Sequence, residues 1–378
     1  MFQYKIPLSL YIHMPWCVQK CPYCDFNSHK MKSAPDYSAY IDHLINDLKQ
    51  DVLLTHDRSI HSIFIGGGTP SLFSAELINK LLANINKIIP INHDAEITIE
   101  ANPNSVDVER FKGYQQAGIN RISIGVQSFQ SDKLLKLGRV HNPQEAIDAG
   151  KLAHDLNLKS FNLDLMHGLP KQTIQDALHD LKQAIAIAPP HLSWYQLTIE
   201  SNTLFGSKPP VLPDDDMLWD IYQQGHQLLT NHGYQQYETS AYAKPNYQCQ
   251  HNLNYWRFGD YIGIGCGAHG KLTQNDGTII RTVKTKHPQG YMQGRYLERS
   301  YTVAKDELAF EFFMNRFRLF EPTPKMEFEQ RTFLPIQSIE QSISLAIEKN
   351  YLIEDEKNWL ITDHGKLFLN SLLSLIHI

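Results

Sequence analysis

Cysteine is scarce in this chain and odd in number, five among 378 residues, which excludes a fully paired disulfide framework. No stretch approaches the roughly 18 uninterrupted apolar residues that a membrane-spanning helix needs. Met1 to Leu10 lack the apolar run and small-residue cleavage site of a secretory signal. Positive charge is not in excess: 35 Lys and Arg stand against 40 Asp and Glu, a net charge of −5. Neither a nucleic-acid groove nor an anionic membrane surface is therefore expected as a partner. Low-complexity tracts and internal repeats are missing too. A balance of 42% hydrophobic and 20% charged residues argues against disorder. Together these absences predict a soluble, cytoplasmic protein with no integral membrane segment. The length calls for one large domain with an appendage, or two to three modest ones.

What is present begins with an alternation. Strand candidates at Leu10 to His13, Ser62 to Ile65, Glu96 to Glu100, Arg121 to Val126, Ser160 to Leu165 and Leu192 to Thr198 are separated by amphipathic stretches. In Thr173 to Ala188, Ile174, Leu178, Leu181 and Ile185 recur at helical spacing and mark one buried face. Six strand–helix units in series predict an α/β fold with a parallel sheet and outer helices, either doubly wound or a partial barrel. Pro209, Pro210 and Pro213 then interrupt the chain before a helix starting near Asp214 to Asp216. Tyr234 to Ala243 is β-prone, and the five glycines of Gly259 to Gly270 predict an irregular segment with tight turns. Helical patterns return at Glu307 to Phe320 and Ile339 to Lys349. A hairpin over Leu352 to Thr362 and a last helix over Leu367 to Ile378 complete a winged-helix-like order.

Three of the cysteines, Cys17, Cys21 and Cys24, follow directly on the first strand. Thiolates are soft ligands suited to iron–sulfur clusters or zinc, and intervals of four and three let one loop reach three corners of a cubane. A closed zinc site needs a fourth ligand. His13 or His29 could supply it, whereas Cys249 and Cys266 lie more than two hundred residues away. Three thiolates on a [4Fe–4S] cluster leave one iron open for a small molecule. The eighteen histidines are scattered, and most read as solvated or simple hydrogen-bonding residues.

The CxxxCxxC spacing, with Tyr23 before the third cysteine and Tyr11 six residues before the first, resembles the radical S-adenosylmethionine (SAM) superfamily. That resemblance implies a partial (β/α)6 TIM-like barrel in which the open iron chelates SAM. The strand ends agree, since ligands of parallel α/β folds sit at the carboxyl ends of strands. Strand two runs into Gly66-Gly67-Gly68-Thr69-Pro70, where missing side chains let the backbone approach a ligand. Strand three ends at Glu100-Ala101-Asn102-Pro103, strand four at Gly125-Val126-Gln127, and strand five carries Asp164. Buried carboxylates need partners, and SAM offers hydroxyls, an ammonium and a sulfonium. Similarity to the coproporphyrinogen-oxidase-like branch implies that Tyr11, Gly67, Gly68, Thr69, Glu100, Gln127, Arg139 and Asp164 line the SAM site. Arg139 would meet the SAM carboxylate and Tyr23 would pack against the adenine. Singly, each has a plainer reading: Asp164 as a helix cap, Gln127 as a strand-end hydrogen bond, Arg139 as a surface charge.

The resemblance extends over nearly the whole chain, including the segment opening Asp306-Glu307-Leu308-Ala309-Phe310. It implies a radical SAM barrel over 1–240, a haem-motif and glycine-rich connecting region over 241–300, and a C-terminal helical, winged-helix-like domain over 301–378. Two related groups share this plan: oxygen-independent coproporphyrinogen III oxidases and HemW-type haem chaperones. The oxidases carry another cysteine where this chain has Phe26, and a longer N-terminal extension than sixteen residues before Cys17 allow. His251-Asn252-Leu253-Asn254-Tyr255-Trp256 resembles the chaperones' HNxxYW haem signature. Histidine is a common axial haem ligand, and Tyr255 and Trp256 can cover a porphyrin face; the plainer reading is a core histidine beside two packing aromatics. Cys249 is either a second haem ligand or, with Cys266, a small buried hydrophobe. The resemblance thus implies a [4Fe–4S] cluster, SAM and haem as cofactors, and recipient apo-haemoproteins, respiratory ones among them, as partners. An oxidase, or a structural zinc protein, remains the alternative.

Overall fold

The computed structural model describes residues 6–105, 107–156 and 158–376. Strands β1 (Leu8–Met14), β2 (Ile60–Gly67), β3 (Ile91–Ala101), β4 (Arg121–Gln127), β5 (Ser160–His167) and β6 (His191–Gln196) form six consecutive parallel neighbours. Between them run α1 (Tyr37–Asp51), α2 (Ala75–Ile88), α3 (Val108–Gln116), α4 (Pro143–Asp155) and α5 (Ile174–Ile187), with α6 (Asp215–Asn231) after β6. Each strand is two-faced. In β1, Leu8, Leu10, Ile12 and Met14 are buried in the main core. Ser9 and Tyr11 alternate with them, Ser9 Oγ lying 2.7 Å from Ser62 Oγ and the Tyr11 ring stacking on Phe64. Polar inner faces and apolar outer faces are what a partial barrel wrapped by helices requires.

The predicted helix over Thr173 to Ala188 is α5. Thr173 caps it in a reciprocal box with Asp176, and Ala188 ends it in a left-handed conformation. Asp214 likewise caps α6 through the Met217 N–H.

The glycine-rich segment differs from the expected run of turns. Asp260–Ile264 is strand β9, parallel to β1 on the side opposite β2. The expected tight turn does occur at Gly265 to Ala268, where Gly265 and Gly267 hold φ of +100 and +79. The flanking glycines permit close backbone approach: a Cβ on Gly263 would collide with the His269 carbonyl, and one on Gly270 would lie 2.5 Å from Thr282 Oγ1. Strands β10 (His269–Thr273), β11 (Ile279–Lys284) and β12 (Leu297–Thr302) continue antiparallel. At the other end, β7 (Gln235–Glu238) and β8 (Ala241–Ala243) add antiparallel to β6. The twelve-stranded sheet runs β12-β11-β10-β9-β1-β2-β3-β4-β5-β6-β8-β7 and does not close on itself.

Before β9 lies the short helix α7 (Gln250–Trp256), and after β12 comes α8 (Lys305–Arg316). Leu308, Ala309, Phe312 and Phe313 of α8 build a second core with Phe328, Ile343, Trp359 and Leu372. The hairpin expected over Leu352 to Thr362 forms from Leu352–Glu354 and Asn358–Ile361, joined by Thr323–Pro324 in a three-stranded sheet. The expected last helix is instead two short ones, Asp363–Leu367 and Leu369–Leu373, broken where Phe368 leaves helical geometry; residues 377–378 lie outside the described residues. No helix is long and apolar enough to cross a membrane among the described residues.

The sheet extension is tied to the barrel by charge. Lys284 Nζ on β11 is fully buried, 2.6 Å from Asp47 and 2.8 Å from Asp51 of α1. Asp47 also accepts from the Tyr291 hydroxyl at 2.7 Å and the Gly265 N–H at 3.1 Å. Replacing Lys284 with Met strands two carboxylates in the core, and the expected loss in urea denaturation is about 3–5 kcal/mol.

Candidate functional site

The cluster motif starts where β1 ends. Cys17 belongs to a two-residue strand paired with His29–Lys30, so the loop returns on itself and brings Cys21 and Cys24 back beside it. The Cys24 N–H donates to the Cys21 carbonyl at 3.2 Å. All three cysteines are free, half-buried thiols on the wall of one cavity of about 470 Å³. Burial pushes the Cys17 thiol above its ordinary value, opposed by a hydrogen bond with Thr69. Asn27 anchors the loop from behind, donating to the Cys266 and Lys286 carbonyls, both at 2.9 Å.

The same cavity is lined by Tyr23, Gly67, Gly68, Thr69, Glu100, Gln127, Arg139 and Asp164, so the strand ends named from sequence converge. The glycine loop is locked against the cysteine loop: Gly68 N–H donates to Met14 O at 2.6 Å and Thr69 N–H to Trp16 O at 2.9 Å. A Cβ on Gly68 would sit 2.6 Å from the Trp16 carbonyl, so glycine is required by this approach. Gln127 holds φ +66 at a bulge ending β4, an uncommon conformation for a non-glycine residue, and its amide oxygen accepts from the Tyr195 hydroxyl at 2.8 Å.

Glu100 and Asp164 both face the cavity from half-buried positions. Glu100 accepts from the Gly67 N–H at 3.0 Å. Burial, with the Asp164 charge adding to it, raises its carboxyl to about 7. Asp164 accepts from Asn162 at 2.7 Å and Ser123 at 3.1 Å, yet burial still raises it. Arg139 is no surface charge. It donates to Asn102 Oδ1 at 2.7 Å and the Gly125 carbonyl at 2.8 Å, and its NH1 reaches Cys21 Sγ at 3.6 Å. Its Nε is buried with no hydrogen-bond partner among the described residues. Tyr11 does not line the cavity. Its hydroxyl lies 3.0 Å from His13 Nδ1, and burial, reinforced by Glu100, raises its phenol.

These groups fit the cofactors of the radical SAM plan. Two half-buried carboxyls and an unpartnered Arg139 N–H suit a ligand carrying hydroxyls, an ammonium and a carboxylate. The thiols suit a cluster better than zinc. Both ring nitrogens of His13 are engaged, by Tyr11 and by the Asn27 carbonyl, and His29 Nε2 lies 3.2 Å from the Lys286 carbonyl. No group of three His, Cys, Asp or Glu is placed to hold a single ion among the described residues.

The haem-motif residues share α7 but not one surface. His251 is only 8% exposed; its Nδ1 lies 3.2 Å from Ser62 Oγ, and its ring centroid 5.3 Å from that of Phe64. In this arrangement it is a core histidine, held neutral because burial lowers its pKa to about 3. Tyr255 is 37% exposed, whereas Trp256 lines the cavity. Cys249 is buried with its thiol 3.3 Å from Glu96, and Cys266 donates to the Lys286 carbonyl, so both pack inside as small thiols. The sequence reading left Asn102, Ser123, Ser193, Tyr195 and Arg318 out of the site. Asn102 belongs to the Glu100-Ala101-Asn102-Pro103 end of strand three, and Ser193 and Tyr195 follow the inward alternation of strand six. Arg318, over two hundred residues from the cysteines' loop, carried no signal.

Glu100 sets a pH dependence. Its folded pKa of about 7 lies above the ordinary 4.5, so its contribution to stability is fully present below about 4.5 and is lost as pH rises through about 7. In cofactor-free protein, Glu100→Gln keeps an acceptor for Gly67 and removes this titration. Denaturation at pH 8 is expected to find the variant more stable than the parent by up to about 3 kcal/mol, with the gap closing toward pH 4.5.

Comparison with known proteins gives this geometry its family. Residues 11–184 match the Radical SAM superfamily, and residues 303–368 match the HemN C-terminal domain. The protein named heme chaperone HemW of Escherichia coli strain K12 is 64% identical over 369 residues, covering 98% of each chain. That of Bacillus subtilis strain 168 is 31% identical over 377 residues, covering 96% of this chain and 97% of the relative. The solved structure of the coproporphyrinogen III oxidase HemN of Escherichia coli superposes with a TM-score of 0.83 at 23% identity, over 98% of this chain and 90% of that one, which establishes a common fold. The chain belongs to the radical SAM superfamily and, within it, to the HemW family.

Proposed function

We propose that this chain is a haem chaperone of the cytoplasm that binds haem and passes it to apo-haemoproteins, respiratory ones among them. The observation that carries the reading is the 64% identity, over 98% of both chains, to a protein named heme chaperone HemW. The oxidase reading is not favoured. Its structural likeness rests on 23% identity and speaks for the fold alone, and the position two after Cys24 is Phe26, an exposed side chain with no thiol.

In this reading Cys17, Cys21 and Cys24 hold a [4Fe–4S] cluster whose fourth iron is left to SAM. When bound, SAM and the cluster supply one-electron chemistry that no side chain offers. The chain's own residues do the placing. Gly67, Gly68 and Thr69 present backbone and hydroxyl groups, and Glu100 and Asp164 accept hydrogen bonds. Gln127 and Arg139 border the ligand and Tyr23 covers it, while Tyr11 acts one step back through His13. Anaerobic reconstitution tests the cluster ligands. Cys24→Ala is expected to lose bound iron and the spectral response to added SAM, while Cys249→Ala keeps both. A Cys24→Ala protein that still answers to SAM would remove Cys24 from the site.

Haem would be taken by the α7 segment with His251, Tyr255 and Trp256. Neutral imidazole is the form that ligates iron, and His251 is held neutral. To reach an iron it must leave Ser62 and Phe64, so haem binding is expected to loosen α7 from the barrel. In a haem titration, His251→Ala should weaken binding about tenfold or more and shift the Soret band. An unchanged spectrum and affinity in a folded variant would sink this assignment. Conversion of coproporphyrinogen III by the reconstituted protein with SAM and reductant would instead establish the oxidase.

A further inference from the structure

The cavity that holds the three cysteines is also walled by Trp256 of α7 and Arg318, which follows α8. These two side chains touch: the Arg318 guanidinium lies 4.5 Å from the centre of the Trp256 ring. Both carry buried donors without partners among the described residues, Arg318 Nε and Trp256 Nε1. A buried N–H that makes no hydrogen bond is costly and calls for a reason, such as a ligand group that completes it.

The placement is built, not incidental. The Arg318 backbone is fixed at the edge of the sheet: its carbonyl accepts from the Thr239 N–H at 3.2 Å, Leu319 bridges antiparallel to Glu238, and the Phe320 N–H donates to Tyr237 O at 3.0 Å. From the other side, Arg257 at the end of α7 makes a two-pronged pair with Glu321, at 2.8 and 2.7 Å. Segment 318–321 and α7 are thus held face to face. The acidic group nearest Arg318, Glu238, stands 3.9 Å away, too far for a hydrogen bond. Burial pushes that carboxyl above its ordinary value, and the Arg318 charge opposes the shift.

We propose that Arg318 and Trp256 form a carboxylate-binding subsite in the cavity wall, which anchors an acidic arm of a flat, aromatic cargo. A guanidinium offers a planar fork matched to a carboxylate, and the indole adds one donor and an apolar face. A ligand carboxylate at this wall would satisfy the two unpaired donors, Arg318 Nε and Trp256 Nε1, together. This subsite rests on the haem reading above, in which the carboxylate is a propionate.

The test compares binding of haem and of haem dimethyl ester to the reconstituted full chain, its Arg318→Ala, Arg318→Lys and Trp256→Phe variants, with thermal unfolding followed in parallel. The parent protein is expected to bind haem about tenfold to a hundredfold more tightly than the ester, the range for one charge-assisted hydrogen bond. Arg318→Ala should bind the two alike, Arg318→Lys should keep part of the preference, and Trp256→Phe should lose a few-fold. If Arg318→Ala unfolds, Arg318→Lys and Trp256→Phe carry the comparison. Full preference for the free acid in the folded variants overturns the subsite and leaves the haem reading standing. A parent protein that binds neither compound overturns the haem reading and the subsite with it.

Discussion

Strand β1 has a parallel partner on each side, and the cluster loop begins where it ends. One partner, β2, comes from the neighbouring strand–helix unit and carries the glycine loop. The other, β9, arrives some two hundred and fifty residues later and is itself the start of the sheet extension. This double pairing fixes the backbone leading into Cys17 from both edges. It also places Cys266 and Lys286 where Asn27 can bond to their carbonyls. The buried Lys284 pair with Asp47 and Asp51 clamps the extension to α1, so the loop bearing the thiols rests on a support assembled from distant parts of the chain. A loop meant to present three cysteines to one object needs such support, since its own two-residue strand pairing contributes little.

Inside the barrel many polar side chains are hydrogen-bonded to one another. From Asp164 the bonds run through Asn162 to His191 at 2.6 Å, on to the Tyr237 hydroxyl at 2.9 Å, and from there to the Cys249 backbone that opens α7. Glu96 joins in, accepting from the Cys249 thiol and the His251 N–H. Paired polar groups in a low-dielectric interior hold their neighbours in one arrangement. The helix with the haem motif is therefore seated on the same hydrogen-bonded floor that holds the Asp164 carboxylate. Among the buried donors without partners in the described residues, Arg139 Nε, Trp256 Nε1 and Arg318 Nε belong to residues on the cavity wall, where ligands would complete them.

Much of this was legible from local pattern. Short apolar runs separated by amphipathic stretches marked the six strands, because each strand has one face packed on the helices. The helix over Ile174–Ile187 followed from the spacing of its apolar residues, and the structure added its Thr173 cap. In the glycine-rich stretch the tight turn at Gly265 to Ala268 was legible but the strands on either side were not, because glycine serves turns and close strand contacts equally well, and only the partner backbone decides between them. The last helix was misread because a greasy run does not report the break at Phe368.

The sequence by itself determined that three clustered thiols follow a first strand, and that successive strands end in glycine, carboxylate or amide groups. Chain proximity and the succession of apolar runs and amphipathic stretches carry that information, and both are local. Only the tertiary structure decided that β9 lies beside β1, that Arg139 is tied to Asn102 and Gly125, that His251 is sealed against Ser62 and Phe64, and that Arg318 covers Trp256. Those outcomes depend on which distant surfaces meet. A composition or a spacing cannot encode that choice, because it is settled by packing and hydrogen-bond satisfaction across the whole fold.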